Sequence, residues 1–325
     1  MGLVINGKKV IGLALSGKKI LGEAKNGKVI WRSPIDSKPW KFTADSAVNS
    51  IAVDSSGNVY AGTDGSSVYK LNASGNQVWE SIVDSSSVSS VAVDSSGNVY
   101  AASGSSVYKL NASGNQVLSF NVDSSAVNSI AVDSSGNVYA GNYDNSVYKL
   151  NASGNQVWSF TVDGNALSVA VDSSGNVYAA SGGSSVYKLN ASGNQVWKFT
   201  ADSGVSSVAV DSSGNVYASN NIYGISDVGS VYKLDASGNQ VWKFNTGSSN
   251  VKSIAVDSSG NVYTGSSGSS GSSVCKLNAS GNQVWKFTAD SSSVSSVAVD
   301  SSGNVYAGTS YTDNSVYKLT PDGSN

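Results

Sequence analysis

Seven aspartates, Asp54, Asp94, Asp133, Asp172, Asp211, Asp257 and Asp300, recur inside one repeated phrase, Val-Asp-Ser-Ser-Gly-Asn-Val-Tyr. Carboxylates gathered at one end of a symmetric ring could hold a cation through hard oxygen ligands. An Asp that opens a tight turn also accepts hydrogen bonds from the turn itself, and the Ser-Ser-Gly-Asn that follows each of these favours that use. Acid–base catalysis by paired carboxylates needs two groups in unlike environments, which sevenfold repetition argues against. The chain contains no histidine, so Ser–His–Asp or Cys–His nucleophiles and His-based zinc sites are excluded. Its one cysteine, Cys275, stands in Ser-Val-Cys-Lys-Leu where six sister segments carry Tyr, and reads as a half-apolar strand position. A single cysteine also rules out an intramolecular disulfide. The expectation is a protein that is not an enzyme, with no catalytic residue, metal or cofactor.

A second set of residues lies where the copies of the repeat differ from one another. It comprises Asn142, Tyr143 and Asp144, then Asn220, Asn221, Ile222, Tyr223, Ile225 and Asp227, and finally Tyr311 and Asp313. Aromatic rings beside Asn and Asp suit a glycan or a protein ligand, by stacking plus hydrogen bonding. Neutral drift in unconstrained loops is the competing account of the same variation.

The elements that position both sets follow from the repeat. The phrase begins at Val53, Val93, Val132, Val171, Val210, Val256 and Val299, so successive spacings are 40, 39, 39, 39, 46 and 43 residues. A period near 40 with several short strands per unit predicts a propeller blade. In the first unit, strands are expected over 48–54, 59–63, 67–72 and 77–83, separated by Ser-Ser-Gly-Asn, a Gly/Ser/Asp loop and Ala-Ser-Gly-Asn. Imperfect alternation along the strands is read as both faces of each blade being covered by its neighbours. In Val-Trp-Lys-Phe, as at 196–199, Trp and Phe share a face and are expected to pack between blades, with carbohydrate stacking as the alternative. The seventh unit stops at Thr320 before any fourth strand, while Pro39-Trp40-Lys41-Phe42-Thr43 supplies one at the other end. The predicted fold is therefore all-β, a seven-bladed β-propeller of four-stranded blades whose ring is closed by an N-terminal strand completing the last blade. The two conserved turns emerge on one face of this disc and the varied loops on the other.

Val-Ala-Val-Asp-Ser-Ser-Gly-Asn-Val-Tyr, as at 91–100, resembles NHL-type and related bacterial propeller repeats. Val-Tyr-Lys-Leu-Asn-Ala-Ser-Gly-Asn-Gln-Val-Trp, as at 186–197, resembles quinoprotein-like (PQQ-type) repeats. The resemblance covers residues 38 to 320 and implies the fold. The quinoprotein dehydrogenases would imply a cofactor cage, calcium ligands and a catalytic Asp, and no residues here match such a cage.

Residues 1–35 form a separate basic segment ahead of the propeller of residues 36–325. Asn-Gly and Ser-Gly recur between its short apolar runs, which predicts a hairpin meander. It resembles strand-rich segments at the ends of phage virion proteins. Six Lys and Arg32 against Glu23 give it a local charge of +6 within a chain of net −2. A docking element for a virion partner or for self-association is one reading, and a solvated rim with edge-guarding lysines is the other. No basic stripe with interleaved aromatics suggests nucleic-acid binding, and no apolar run suggests a signal peptide, a transmembrane span or another membrane partner. Cytoplasmic production, followed by virion association, is the expectation for location. The leading functional reading is a non-enzymatic binding or structural propeller that recognises a glycan or protein through its varied face. A scaffold of recently amplified or consensus-designed repeats and a propeller-type hydrolase or lyase are the rivals.

Overall fold

In the computed structural model of the chain, residues 38–220, 229–247, 250–268, 272–289 and 293–325 are described in full, and residues 3–5, 8–10, 12–15, 18–25 and 28–31 as strands. Two compact units result, Met1–Lys38 and Pro39–Asn325. In the first, Leu3–Ile5 pairs with Lys8–Val10, and Gly12–Leu15, Lys18–Lys25 and Lys28–Trp31 form a three-stranded antiparallel sheet. No helix among the described residues is long and apolar enough to cross a membrane.

The second unit is the propeller. Blade 1 consists of Val48–Val53, Val59–Thr63, Ser67–Leu71 and Gln77–Ile82, each paired antiparallel with the next. Equivalent quartets follow in blades 2 to 6, and in blade 7 Ser293–Val299, Val305–Ser310 and Ser315–Leu319 are completed by Trp40–Thr43. Thr43 lies opposite Ser315 and Trp40 opposite Lys318, so the two ends of the chain share one blade. The turn between first and second strands forms because Gly57 takes φ +79, a conformation costly for any residue with a Cβ. Its N–H bonds back to the Asp54 carbonyl at 3.0 Å.

The core is divided among the interfaces between blades. Each of seven apolar clusters joins the second to fourth strands of one blade to the first three of the next. The cluster of Val48, Ile51, Val59 and Leu71 with Tyr306, Val316 and Trp40 joins blade 7 to blade 1 and closes the ring.

A ladder of serines runs round the first strands. A bulge between Val48 and Ser50 turns the Ser50 hydroxyl toward blade 2, where it accepts the Val91 N–H at 3.0 Å. Ser90, Ser129, Ser168, Ser207 and Ser253 repeat this bond, and Ser296 of blade 7 accepts the Ile51 N–H of blade 1 at 3.0 Å.

The fourth strand corrects one expectation. Only its Trp/Phe face is covered; the opposite face is open to solvent, and Val78, Val117, Val157, Val196, Val241 and Val284 are each at least half exposed. The fourth strand is the outer edge of its blade, so no neighbour covers that side. The indoles are interblade clamps: Trp79 Nε1 donates to the Ala112 carbonyl of the next blade at 3.1 Å, and Trp40, Trp158, Trp197, Trp242 and Trp285 do the same.

Candidate functional site: the variable-loop face

The seven aspartates are turn staples. Asp54 Oδ1 accepts the backbone N–H groups of Ser56 and Asn58 at 2.9 Å, and Oδ2 accepts the Asn58 side-chain amide at 2.8 Å and the Tyr60 hydroxyl at 3.0 Å. Burial alone would raise its pKa, but these donors, led by Asn58, hold it below the ordinary carboxylate value. The same four bonds recur at Asp133, Asp172, Asp211, Asp257 and Asp300, which leaves these carboxylates engaged by their own turns rather than bare toward a cation. Among the described residues, no group of three or more His, Cys, Asp or Glu is arranged to hold a metal.

On the opposite face, the loop of blade 3 separates its candidate residues. Asn142 is the last residue of the strand Val138–Asn142 and is fully buried, its amide donating to the Ser125 carbonyl at 3.3 Å. Asp144 caps the turn, accepting the Ser146 N–H at 3.0 Å and the Tyr148 hydroxyl at 2.6 Å. Tyr143 alone is thrust outward, with 56% of its surface exposed. Asn220 is buried like Asn142; its Oδ1 accepts the Ser230 N–H at 2.6 Å. Asn142 and Asn220 are thus corrections: each ends a second strand and faces inward, away from any ligand, and Asn142 Oδ1 is buried without a hydrogen-bond partner. Asn221, Ile222, Tyr223, Ile225 and Asp227 lie outside the described residues.

In blade 7, Tyr311 has φ +78 and is 74% exposed. The Lys252 ammonium sits 5.8 Å from its ring centre, and burial lowers that lysine's pKa. Asp313 is bound at the seam of the ring. It accepts Lys41 Nζ from the closing strand at 2.6 Å, together with the Ser315 and Tyr317 hydroxyls. These donors outweigh burial and depress its pKa. Among the described residues, the candidate tyrosines and carboxylates, Tyr143, Asp144, Tyr311 and Asp313, are therefore not assembled into one site.

Tyr143 does line a hollow of about 440 Å³ across blades 3 to 5, with Asp163, Asn165, Leu167, Gly182, Gly183 and Gly204. Its floor is backbone. A Cβ on Gly183 would lie 2.1 Å from the Asp163 carbonyl oxygen, and one on Gly204 would lie 2.8 Å from that of Gly182, so only glycine permits these three segments to stack. Asp163 is anchored beneath by the Ser181 hydroxyl at 2.7 Å, the Ser185 hydroxyl at 2.5 Å and Lys198 at 2.9 Å. Its pKa is low because these bonds overcome its burial.

Leu167 supplies an apolar wall at a position where most blades carry a tether. Asn49, Ser89, Asn128 and Ser206 there donate to the first-strand carbonyl of the next blade, at 3.2, 2.6, 3.2 and 2.5 Å. Leucine has no such donor. Sequence reasoning found Tyr143 but missed the rest of the hollow. The signal was present in Asp163-Gly164-Asn165-Ala166-Leu167, which departs from the Asp-Ser-Ser-Ala-Val-Asn of residues 123–128.

A family profile of the PQQ_2 type, described as outer membrane protein assembly factor BamB, matches residues 17–142, 103–226 and 227–324. No curated protein matches the chain. Among solved structures, the WD40 β-propeller domain of Doa1 superposes with a TM-score of 0.73 at 18% identity, over 87% of this chain and 95% of that one. That likeness is one of fold. Of the resemblances in the sequence, these matches carry the PQQ-type repeats and the propeller, and not the NHL or virion features. Three profile matches spanning nearly the whole chain, on a closed ring of four-stranded blades, place it: the chain belongs to the PQQ_2 repeat family typified by outer membrane protein assembly factor BamB.

Proposed function

We propose that this propeller is a non-enzymatic recognition module whose varied face docks an extended segment of a partner protein in the hollow beside Tyr143. The observation that carries the reading is the hollow itself: an exposed ring, an apolar wall at Leu167 and a floor of glycine backbone, in which the Asn165 carbonyl accepts the Gly182 N–H and the Ser181 hydroxyl accepts that of Gly183. The ring and the leucine supply anchor contacts for an extended peptide, whose main chain pairs with the backbone groups of the floor that the protein does not itself use. The family description, an assembly factor, favours a protein partner. Asp144, Asp163 and Asp313 are each held by neighbouring donors, which supports a binding role over acid–base chemistry. A glycan is the second reading, favoured by Tyr143 standing beside Asp163 and Asn165. The basic N-terminal segment remains, in this proposal, a docking element for assembly on a larger particle or surface.

Peptide display against the intact protein, with a glycan array in parallel, tests the reading. Enriched peptides should lose about tenfold or more in affinity against Tyr143→Ala and Leu167→Ser, the loss typical of an interface anchor. Peptides that bind both variants as well as the parent, or enrichment of none, would refute it. Binding of glycans alone, lost in the same variants, would select the second reading.

A further inference from the structure

The face opposite the hollow carries crevices between adjacent blades. The one between blades 4 and 5 has a volume of about 410 Å³ and is walled by Ser173, Ser174, Tyr178 and Lys188 from one blade and Ser212 and Ser213 from the next. Crevices of about 410 Å³ and 420 Å³ lie between blades 3 and 4 and between blades 1 and 2, lined by the same residue types. Each Ser-Ser turn is a partition: Ser173 and Ser174 line the crevices on both sides of blade 4.

The turn itself makes no use of these serine side chains. It is built from the Asp172 carboxylate, the Asn176 amide, the Tyr178 hydroxyl and the positive φ of Gly175. Ser174 contributes only its N–H, and the hydroxyls of Ser173, Ser174, Ser212 and Ser213 have no hydrogen-bond partner among the described residues. Even so, Ser-Ser stands in all seven copies, in a chain whose loops on the other face have diverged. Above them Lys188 is held over the Tyr178 ring, 5.3 Å from its centre, and donates to the Ala236 carbonyl at 3.4 Å. An ammonium has three donors, so others remain for a ligand. Each crevice is lined by one such lysine and two turn aspartates, as Lys188 stands with Asp172 and Asp211, and the carboxylates are engaged by donors of their own turns. Uncommitted hydroxyls and spare ammonium donors suit a neutral polyol better than an anion, which the two aspartates repel, or a cation, which would compete with the turn donors for their oxygens.

We propose that this face bears repeated, equivalent subsites for a neutral sugar residue, at least in the three crevices between blades 1 and 2, 3 and 4, and 4 and 5. Each crevice is open and polar and binds weakly alone. A glycan presenting several such residues engages several crevices at once and gains by effective concentration. The proposal is independent of the hollow at Tyr143.

Built-in reporters make it testable. The indoles of Trp79, Trp158 and Trp197 donate at 3.1 Å to the carbonyls of Ala112, Ala191 and Ala236, which line the three crevices in turn. The intact protein, labelled with ¹⁵N at tryptophan, is titrated into the millimolar range with glucose, galactose, mannose and N-acetylglucosamine, and with glucuronic acid as the charged comparison. At least one neutral sugar should move all three indole signals along one isotherm. Ser173→Ala with Ser174→Ala should abolish the shifts of Trp158 and Trp197 and spare that of Trp79. Ser212→Ala with Ser213→Ala should silence Trp197 alone of the three. The sugar-free spectra confirm that each variant is folded. Tyr143→Ala should change none of the shifts. No shift with any neutral sugar, a shift at one indole only, shifts that survive the serine changes, tighter binding of glucuronic acid, or loss of the shifts in Tyr143→Ala would each overturn the proposal.

Discussion

Replacing Trp40 by alanine asks whether the strand that completes blade 7 bears the same load as its internal counterparts. Trp40 makes every contact its sisters make. Its Nε1 donates to the Ala73 carbonyl at 3.0 Å, its ring centre is 6.0 Å from that of Tyr306, and its indole lies so close over Gly75 that a Cβ there would approach it to 2.6 Å. Trp158 does the same with Ala191 at 3.1 Å, Tyr139 at 6.2 Å and Gly193 at 2.7 Å. A fully buried Trp→Ala costs about 3–5 kcal/mol, and a half-buried indole forfeits roughly half of that. The lost hydrogen bond adds about 1 kcal/mol, because the freed carbonyl on an exposed turn regains water. Both Trp40→Ala and Trp158→Ala should therefore destabilise by about 3 kcal/mol. Urea unfolding followed by circular dichroism measures both, with the m-value showing whether the same surface is exposed. If Trp40→Ala cost under about 1 kcal/mol while Trp158→Ala cost the expected amount, ring closure by the N-terminal strand would be refuted.

Two further predictions concern the turn aspartates and the odd cysteine. Asp54, Asp133, Asp172, Asp211 and Asp257 have folded pKa values below the ordinary 3.8, since bonds from Asn, Tyr and backbone donors overcome burial. Depressed carboxylates contribute stability that is present above the unfolded value and is lost as pH falls through the folded one. The melting temperature should hold steady from neutrality down to about pH 4 and fall below it; a decline that sets in above about pH 5 would contradict this origin. Cys275, buried where its sisters are Tyr, coincides with Gly247 where the preceding connector elsewhere carries Asp; the normal pair is Tyr148 with Asp123, at 2.6 Å, or Tyr108 with Asp84, at 3.0 Å. Cys275→Tyr and Gly247→Asp should couple favourably by about 0.5–3 kcal/mol in a double-mutant cycle read by urea unfolding, although Gly247 at φ +71 makes the single Asp change costly. Additive single effects would show that the two departures are unrelated.

The blade was legible because its turn chemistry is local. Ser-Ser-Gly-Asn needs a glycine with positive φ and an Asp to staple it, and those four residues announce the hairpin wherever they occur. Closure was legible too, since seven third strands and an orphan Trp-Lys-Phe at the other terminus leave one arrangement without an open edge. The site was harder. Asn142 and Asn220 read as loop residues because the sequence there stops looking like its sisters, yet each still completes a strand and faces the blade interior. Leu167, Gly183 and Gly204 come from three separate segments, and only the ring brings them together. The seven-copy alignment contains the departures one at a time; it does not say which of them will be neighbours.

That distinction explains why one departure leaves a hollow and another leaves nothing. In blade 2 Leu118 stands where the other complete repeats carry the clamping tryptophan. The gap is healed locally: Phe120, two residues along the same strand face, covers Gly154, approaching a would-be Cβ to 2.6 Å as the indoles do elsewhere. A single change on a packed strand is absorbed because a neighbour of the right kind stands on the same face and can shift into the space. At blades 3 to 5 the changes fall on segments that no strand neighbour backs. A Gly-Asn pair after Asp163, a glycine pair at Gly182, a lost tether at Leu167 and a glycine at Gly204 meet at one point over a floor of backbone. Drift spread evenly through seven copies would scatter such changes round the ring. Their convergence beneath the exposed Tyr143 is what the proposed recognition site, made by breaking symmetry at one place, requires.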